Sequence, residues 1–202
     1  MTTTPPPPPP ATPTRAFTIL AVCTGNICRS PAMERWLAAG LTGVDVSSAG
    51  ARAVVGHPID AQMVPFIVEG SGKVGDFAAR QLTAQMIRDA DLVLTAARGH
   101  RSAVLELVPA AVRRTFTLRE FARLASLVDR RDLDAAAPPG SDDGARLAAL
   151  VPLAVRRRGQ VIVEPERDDV IDPVGRSDAV FARAAGQMRP AVETILRVVH
   201  WT

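Results

Sequence analysis

Apolar stretches alternate with amphipathic stretches along most of this chain. Residues 17–22 are almost continuously apolar, which is typical of a strand covered by helices on both faces of a parallel sheet. Shorter apolar runs predict further strands, and apolar residues that recur every three or four positions predict helices. The predicted strands are 17–22, 44–47, 92–95 and 114–117, and the predicted helices are 31–39, 61–68, 83–89, 101–107, 147–155 and 176–199. This order predicts an α/β fold with an open, doubly wound parallel sheet of four strands, flanked by helices in a single domain.

The pattern changes at the start of the chain and again near its middle. Residues 1–15 contain a run of six prolines among threonines and cannot build a core, so we expect a disordered, polyproline-II-like tail. A proline-binding partner for this tail is the alternative to a passive role. Residues 16–202 are expected to form the domain, with an enlarged connection at 129–169 that contains a loop signal at 137–142.

Composition limits the class of protein. The chain has 202 residues, of which 47% are hydrophobic and 22% are charged, as in an ordinary globular protein. No apolar run reaches the roughly 18 residues of a membrane span, and the N-terminus lacks the features of a signal peptide. Two cysteines in one loop suggest chemistry in a reducing compartment, so we expect a cytoplasmic enzyme. The net charge of +3 is spread along the chain without a nucleic-acid-binding motif, so we expect neither a nucleic acid nor a membrane as partner.

The strongest local signal directly follows the first predicted strand. Cys23 is followed by five residues and then by Arg29 and Ser30, where the first helix is expected to start with Ser30 as its cap. A strand that turns into a helix N-terminus gathers free backbone N–H groups and the positive end of the helix dipole, which suits a phosphate dianion. Such a positive environment also stabilises a thiolate, and an arginine can grip two phosphate oxygens at once.

This segment resembles the active-site loop of the low-molecular-weight protein tyrosine phosphatases. The resemblance implies that Cys23 is the nucleophile, that Arg29 binds the phosphoryl oxygens and that Ser30 hydrogen-bonds the thiolate. It also implies a general acid in a downstream Asp-Pro pair, which matches Asp172 and Pro173. The substrate-binding residues are then Thr24, Gly25, Asn26, Ile27, Cys28 and Ser30, mainly through their backbone amides.

The resemblance implies hydrolysis of phosphotyrosine in proteins, and of small aryl phosphates, through a cysteinyl-phosphate intermediate. No cofactor and no metal are expected, because His57, His100 and His200 are scattered and are interpreted as structural or exposed. Cys28 either packs in the loop or, as the resemblance implies, traps oxidised Cys23 as a disulfide.

Two other functions stay open at this point. Arsenate reductases use a very similar loop, and a kind that relies on a small-molecule thiol needs no cysteines beyond the two present here. Pro31 after Ser30 favours the phosphatase. A phosphopeptide-binding module without catalysis is the third hypothesis, although binding alone requires neither a thiolate nor an acid.

The chain departs from the family pattern at two places. The aromatic residue that usually follows Asp-Pro is replaced by Val174, so we expect an aliphatic pocket wall of Ile27, Val54 and Val174. Phe77 stands where many relatives have a histidine that supports the loop. We therefore expect the rigidity of the loop to depend on Asn26 together with Ser30 and Ser48.

Overall fold

The four predicted strands form one parallel sheet. The computed structural model describes residues 15–70, 72–160 and 163–201, so the predicted tail lies outside the described residues except for Arg15. The strands are β1 (Phe17–Cys23), β2 (Val44–Gly50), β3 (Leu92–Thr95) and β4 (Thr115–Thr117). Their order is β2-β1-β3-β4, and every neighbouring pair is parallel. The predicted fold class is therefore confirmed.

Helices cover both faces of this sheet. They are α1 (Arg29–Gly40), α2 (Val64–Glu69), α3 (Ala84–Asp89), α4 (Arg98–Leu107), α5 (Leu118–Ala125), α6 (Arg130–Ala136), α7 (Asp143–Arg157) and α8 (Asp178–Val199). Short 3-10 turns lie at Pro109–Arg114 and Pro165–Asp168. On β1, Ile19, Ala21 and Cys23 face the core formed with α1, α5 and α8, whereas Leu20 and Val22 face the smaller core under α3 and α4.

Two local predictions were wrong. The first helix begins at Arg29, so Ser30 lies inside it and does not cap it; its buried hydroxyl contacts side chains of the preceding loop instead. Helices α5 and α6 were not predicted at all. The signal for α5 is present in the sequence, since Thr117 and Glu120 form a reciprocal capping box at its start.

The enlarged connection contributes α6 and α7 to the main core. On α7, the buried Arg146 donates hydrogen bonds to Val199 O (2.6 Å) and Ala137 O (3.0 Å) and pairs with Asp134 at 3.2 Å. Asp143 in the first turn of α7 accepts a hydrogen bond from Thr42 N, just before β2. This turn therefore lies at the amino ends of the strands, away from the loop that follows the carboxyl end of β1.

Candidate active site

The loop between β1 and α1 is curled so that its carbonyl groups point outward. Asn26 adopts a left-handed conformation with φ of 56°, which an asparagine tolerates better than most residues. Four loop carbonyls accept hydrogen bonds from the segment after β2: Cys23 O from Ala51 N (2.8 Å), Thr24 O from Arg52 N (2.9 Å), Gly25 O from Val54 N (2.9 Å) and Ile27 O from Asp60 N (2.8 Å). Because these carbonyls face away, the N–H groups between them turn inward and form an anion cradle at the N-terminus of α1.

Cys23 lies at the base of this cradle. Its side chain is buried, and its Sγ is 3.0 Å from Ser30 Oγ. Asn26 Nδ2 donates to the same Ser30 oxygen at 3.0 Å, so the serine proton is left for the sulfur or for Ala49 O, which is 3.4 Å away. This arrangement stabilises a negative charge on Cys23, which is what a nucleophilic thiolate requires.

A chain of buried polar side chains fixes the loop from behind. Asn26 Nδ2 also donates to Ser48 Oγ at 2.8 Å, and Asn26 Oδ1 accepts from Arg80 N at 2.9 Å. Asn26 thus contacts both Ser30 and Ser48, and the role of these contacts in the rigidity of the loop stays a prediction. Ser48 Oγ in turn donates to Glu34 Oε2 at 2.5 Å. Glu34 on α1 therefore supports Ser48 in a chain that has Phe77 in place of the expected histidine.

Arg29 spans the gap between the cradle and the predicted acid. Its guanidinium is buried, Nη1 donates to Val170 O at 3.2 Å, and Nη2 pairs with Asp172 Oδ2 at 2.6 Å. Its Nε is buried and has no hydrogen-bond partner in the part of the chain that is described. The structure thus brings together Arg29 and Asp172, which are far apart in the sequence.

Asp172 itself lies at the open side of the cleft. Its side chain is half exposed, and its Oδ1 accepts a hydrogen bond from Val174 N at 3.2 Å. Pro173 restricts its own backbone and also that of the preceding Asp172. The carboxyl group is therefore held beside Arg29 while remaining open to solvent.

The second cysteine is buried next to the cradle. Burial raises the pKa of the Cys28 thiol, and the nearby Asp60 carboxylate raises it further. Both cysteines are free thiols. The raised pKa favours the neutral thiol of Cys28, and its disulfide with Cys23 stays a prediction.

His100 belongs to the site, which the sequence did not indicate. Its Nε2 is 2.8 Å from Thr24 Oγ1, at the edge of the cradle. Burial, followed by the positive charge of Arg29, lowers the pKa of His100 to about 4, so the ring is neutral near pH 7. A single histidine without a spacing partner carries no sequence signal for such a contact. His57 and His200 are exposed, as expected.

The mouth of the cleft is aliphatic. A side chain added at Gly25 would lie 3.5 Å from both Ile27 and Val54, so these two residues flank the cradle. Val54 and Val174 are among the large apolar side chains that remain exposed. Ile27 and Val54 thus lie beside the loop as expected, and the place of Val174 in the pocket wall stays a prediction.

Two other kinds of feature are absent from the described residues. Within the ranges given above, no three His, Cys, Asp or Glu side chains lie together as they would around a metal ion. None of the helices in the described part of the chain combines the length and the apolar character that crossing a membrane takes.

Fold and site together define an α/β protein with a cysteine at the base of an anion-binding loop. Residues 18–146 match the family model described as low molecular weight phosphotyrosine protein phosphatase. The chain belongs to this family. The match ends before Asp172, so the predicted acid rests on the geometry described above.

Curated relatives agree with this assignment. The low molecular weight protein-tyrosine-phosphatase Etp of Escherichia coli strain K12 is 44% identical over 91 residues, which are 45% of this chain and 62% of the relative. The probable low molecular weight protein-tyrosine-phosphatase AmsI of Erwinia amylovora is 37% identical over 111 residues, 55% of this chain and 77% of the relative.

Solved structures extend the similarity over most of the chain. The crystal structure of the Erwinia amylovora tyrosine phosphatase AmsI has a TM-score of 0.64 at 26% identity, and the alignment covers 90% of this chain and 92% of that one. The YwlE arginine phosphatase from Geobacillus stearothermophilus has a TM-score of 0.63 at 24% identity, with 90% and 91% covered. The second comparison concerns the fold alone.

Proposed function

We propose that this chain hydrolyses phosphotyrosine in proteins, and small aryl phosphates, through a cysteinyl-phosphate intermediate. The observation that carries the proposal is the position of Arg29. It directly follows the cradle loop, at the start of α1, and pairs with Asp172 at 2.6 Å. Nucleophile, anion-binding group and acid thereby line one cleft, in the roles that acyl- and phosphoryl-transfer sites require.

In the first step the Cys23 thiolate attacks phosphorus in line with the leaving oxygen. The S–P bond forms as the P–O bond to the substrate breaks. The inward-facing N–H groups of the loop and the Arg29 guanidinium hold the phosphoryl oxygens, and both are in position before the reaction starts. Ser30 Oγ, 3.0 Å from the sulfur, stabilises the thiolate before attack and again when it is released.

Asp172 supplies the proton that the leaving oxygen needs. A phosphoryl oxygen that binds Arg29 Nη2 competes with the Asp172 carboxylate for the same donor. The carboxyl group is thereby released from Arg29 and can face the leaving oxygen. In the second step the resulting carboxylate takes a proton from the water that attacks the cysteinyl phosphate, and inorganic phosphate and the Cys23 thiolate are formed.

The depth of the nucleophile favours phosphotyrosine over shorter side chains. Cys23 is only 2% exposed, so a phosphate must reach the base of the cleft to be attacked. A phenyl ring has the length to do so and can pack against Val54 and Val174, whereas phosphoserine is shorter and offers the rim no apolar surface. The preference thus follows from reach and from burial of apolar area.

The experiment is steady-state hydrolysis by the purified protein with EDTA present. Phosphotyrosine and phosphoserine peptides of the same sequence, phosphoarginine and 4-nitrophenyl phosphate are compared, together with arsenate plus glutathione. We expect kcat/KM to be highest for the phosphotyrosine peptide. Thiol consumption that depends on arsenate, without monoester hydrolysis, would indicate the reductase instead; preference for phosphoserine or phosphoarginine would contradict the proposed substrate.

We further propose that the enzyme acts in the cytoplasm, where a catalytic thiol stays reduced. Its protein partners are then substrates that carry phosphotyrosine. A proline-binding partner for residues 1–15 is a separate proposal, which a binding assay with that peptide alone would test.

Cys28 is expected to make oxidation of the nucleophile reversible. Peroxide converts a Cys23 thiolate to the sulfenic acid; attack by the Cys28 thiol then forms the S–S bond and releases water. Wild-type protein treated with peroxide should lose activity and regain most of it with dithiothreitol. Cys28→Ser should regain far less, with each protein compared with its own activity before treatment.

Because burial raises the pKa of Cys28, its thiol should react slowly with the sulfenic acid of Cys23. Cys28 should therefore protect Cys23 from further oxidation best at low peroxide concentrations. Mass spectrometry of the oxidised wild type should show loss of two hydrogens across the loop peptide. Equal recovery of the two proteins would mean that Cys28 only packs.

A further inference from the structure

The segment that leads to Asp172 is attached to the first turn of α4. Asp169 Oδ1 accepts a hydrogen bond from Arg98 N at 2.7 Å. The Arg98 guanidinium binds the same carboxylate. Its Nε is 3.4 Å from Oδ1 and 3.3 Å from Oδ2, and its Nη2 is 3.1 Å from Oδ2. Asp169 O also accepts from Arg119 Nη1 at 2.8 Å. One residue is thus bound through both its side chain and its backbone.

Asp169 does for α4 what a capping residue ordinarily does. Ala97, at the N-cap position, has no side chain that can accept from the first N–H groups of the helix. The Asp169 carboxylate takes that place from a distant part of the chain, and its charge lies at the positive end of the helix dipole. The Asp169 carboxylate is therefore stabilised both by the N-terminus of α4 and by the Arg98 side chain.

Little freedom remains between Asp169 and Asp172. Val170 N donates to Ala96 O at 2.8 Å, Val170 O accepts from Arg29 Nη1 at 3.2 Å, and Ile171 N donates to Gln187 Oε1 at 2.9 Å. Pro173 then fixes the backbone just beyond the acid. A shift at Asp169 would therefore be transmitted along a short, bonded segment to the Asp172 carboxyl.

We propose that Asp169 is a positioning residue for the general acid. It does not touch the substrate; its bond to the first turn of α4 sets where the Asp172 carboxyl lies beside Arg29. The proposal rests on the proposed function, since it assigns Asp169 a part in the same reaction. His100 on the same helix turn contacts Thr24 at 2.8 Å, so α4 aligns the acid segment with the cradle.

A neighbouring carboxylate provides a matched control. Glu166 contacts the same Arg98 at 3.6 Å, but its side chain is 78% exposed and it accepts no backbone N–H of α4. An exposed pair of this kind contributes little. Glu166→Gln should therefore behave as wild type, whereas Asp169→Ala should not.

The test is a leaving-group series with Asp169→Ala. For phenyl phosphate and phosphotyrosine, kcat should fall about tenfold, a partial loss of a general-acid contribution. The loss should nearly vanish with 2,4-dinitrophenyl phosphate, whose leaving group departs without a proton. Inhibition by inorganic phosphate should be unchanged, because the cradle is intact. Asp169→Asn keeps an oxygen that can accept from Arg98 N, so its kcat should fall less than that of Asp169→Ala. This variant still tests the proposal if the alanine variant folds poorly.

A double mutant shows whether Asp169 acts through Asp172. In an Asp172→Ala background, Asp169→Ala should lower kcat no further, since there is no acid left to position. A further tenfold loss in the double mutant, or a single-mutant loss equal for all leaving groups, would overturn the proposal. Suppose that the wild type is active and that the kcat loss of Asp172→Ala depends on the leaving group, but that of Asp169→Ala does not. In that case only the role of Asp169 fails. An inactive wild type would overturn the proposed function and the role of Asp169 with it.

Discussion

Cys23→Ser is expected to abolish turnover while phosphate and vanadate still bind. A serine hydroxyl is not ionised near neutral pH, so the variant lacks the anion that attacks phosphorus. The loss in kcat should be on the order of a millionfold, as when the nucleophile of another covalent enzyme is removed. The inward-facing N–H groups of the loop and Arg29 do not depend on the sulfur, and they should still hold the anion.

Binding and chemistry are measured separately on this variant. Isothermal titration with phosphate gives the affinity of the cradle, and single-turnover hydrolysis of 4-nitrophenyl phosphate gives the chemical rate. Ser30 Oγ, 3.0 Å from the sulfur in the wild type, would then face a neutral hydroxyl. Substantial residual turnover would exclude the covalent mechanism, and loss of phosphate binding would mean that the variant loop has collapsed.

The cradle could be predicted because its signal is local. An apolar strand, five spacer residues and a helix start occupy one continuous stretch, so Cys23 and Arg29 are placed by their own sequence neighbours. The four strands were predictable for the same reason. Asp172 is different: an Asp-Pro pair signals only a turn, and it became a candidate acid through the family resemblance.

The groups that support the site were not predictable, since their roles arise from contacts between distant elements. Glu34 on α1 meets Ser48 on β2, and His100 on α4 meets Thr24 in the loop. Asp169 lies near the acid but is followed by Val170 and not by a proline, so no pattern in the sequence distinguishes it. Its partner is the first N–H group of α4, and no sequence pattern predicts that contact. Helix α5 was missed for another reason: its capping residue Thr117 is also the last residue of a predicted strand.

Asp172→Ala is expected to lower kcat by about a hundredfold or more for substrates with poor leaving groups. Such oxygens depart as alkoxide or phenoxide only at high cost unless a proton arrives with them. The loss should shrink steadily as the leaving group becomes more acidic, so a plot of log kcat against leaving-group pKa should be steeper for the variant. Asp172→Asn should behave alike, because an amide cannot donate the proton.

Phosphate affinity separates a lost acid from a damaged site. Asp172 pairs with Arg29 Nη2 at 2.6 Å and so competes with a phosphoryl oxygen for that donor. Removing the carboxylate should leave inorganic phosphate bound at least as tightly as in wild type, even though turnover falls. Asp178→Asn, the same exchange at an exposed position at the start of α8, serves as the control and should leave both quantities unchanged. An equal loss across the leaving-group series would show that Asp172 is not the proton donor, and weaker phosphate binding would mean that it supports Arg29 instead.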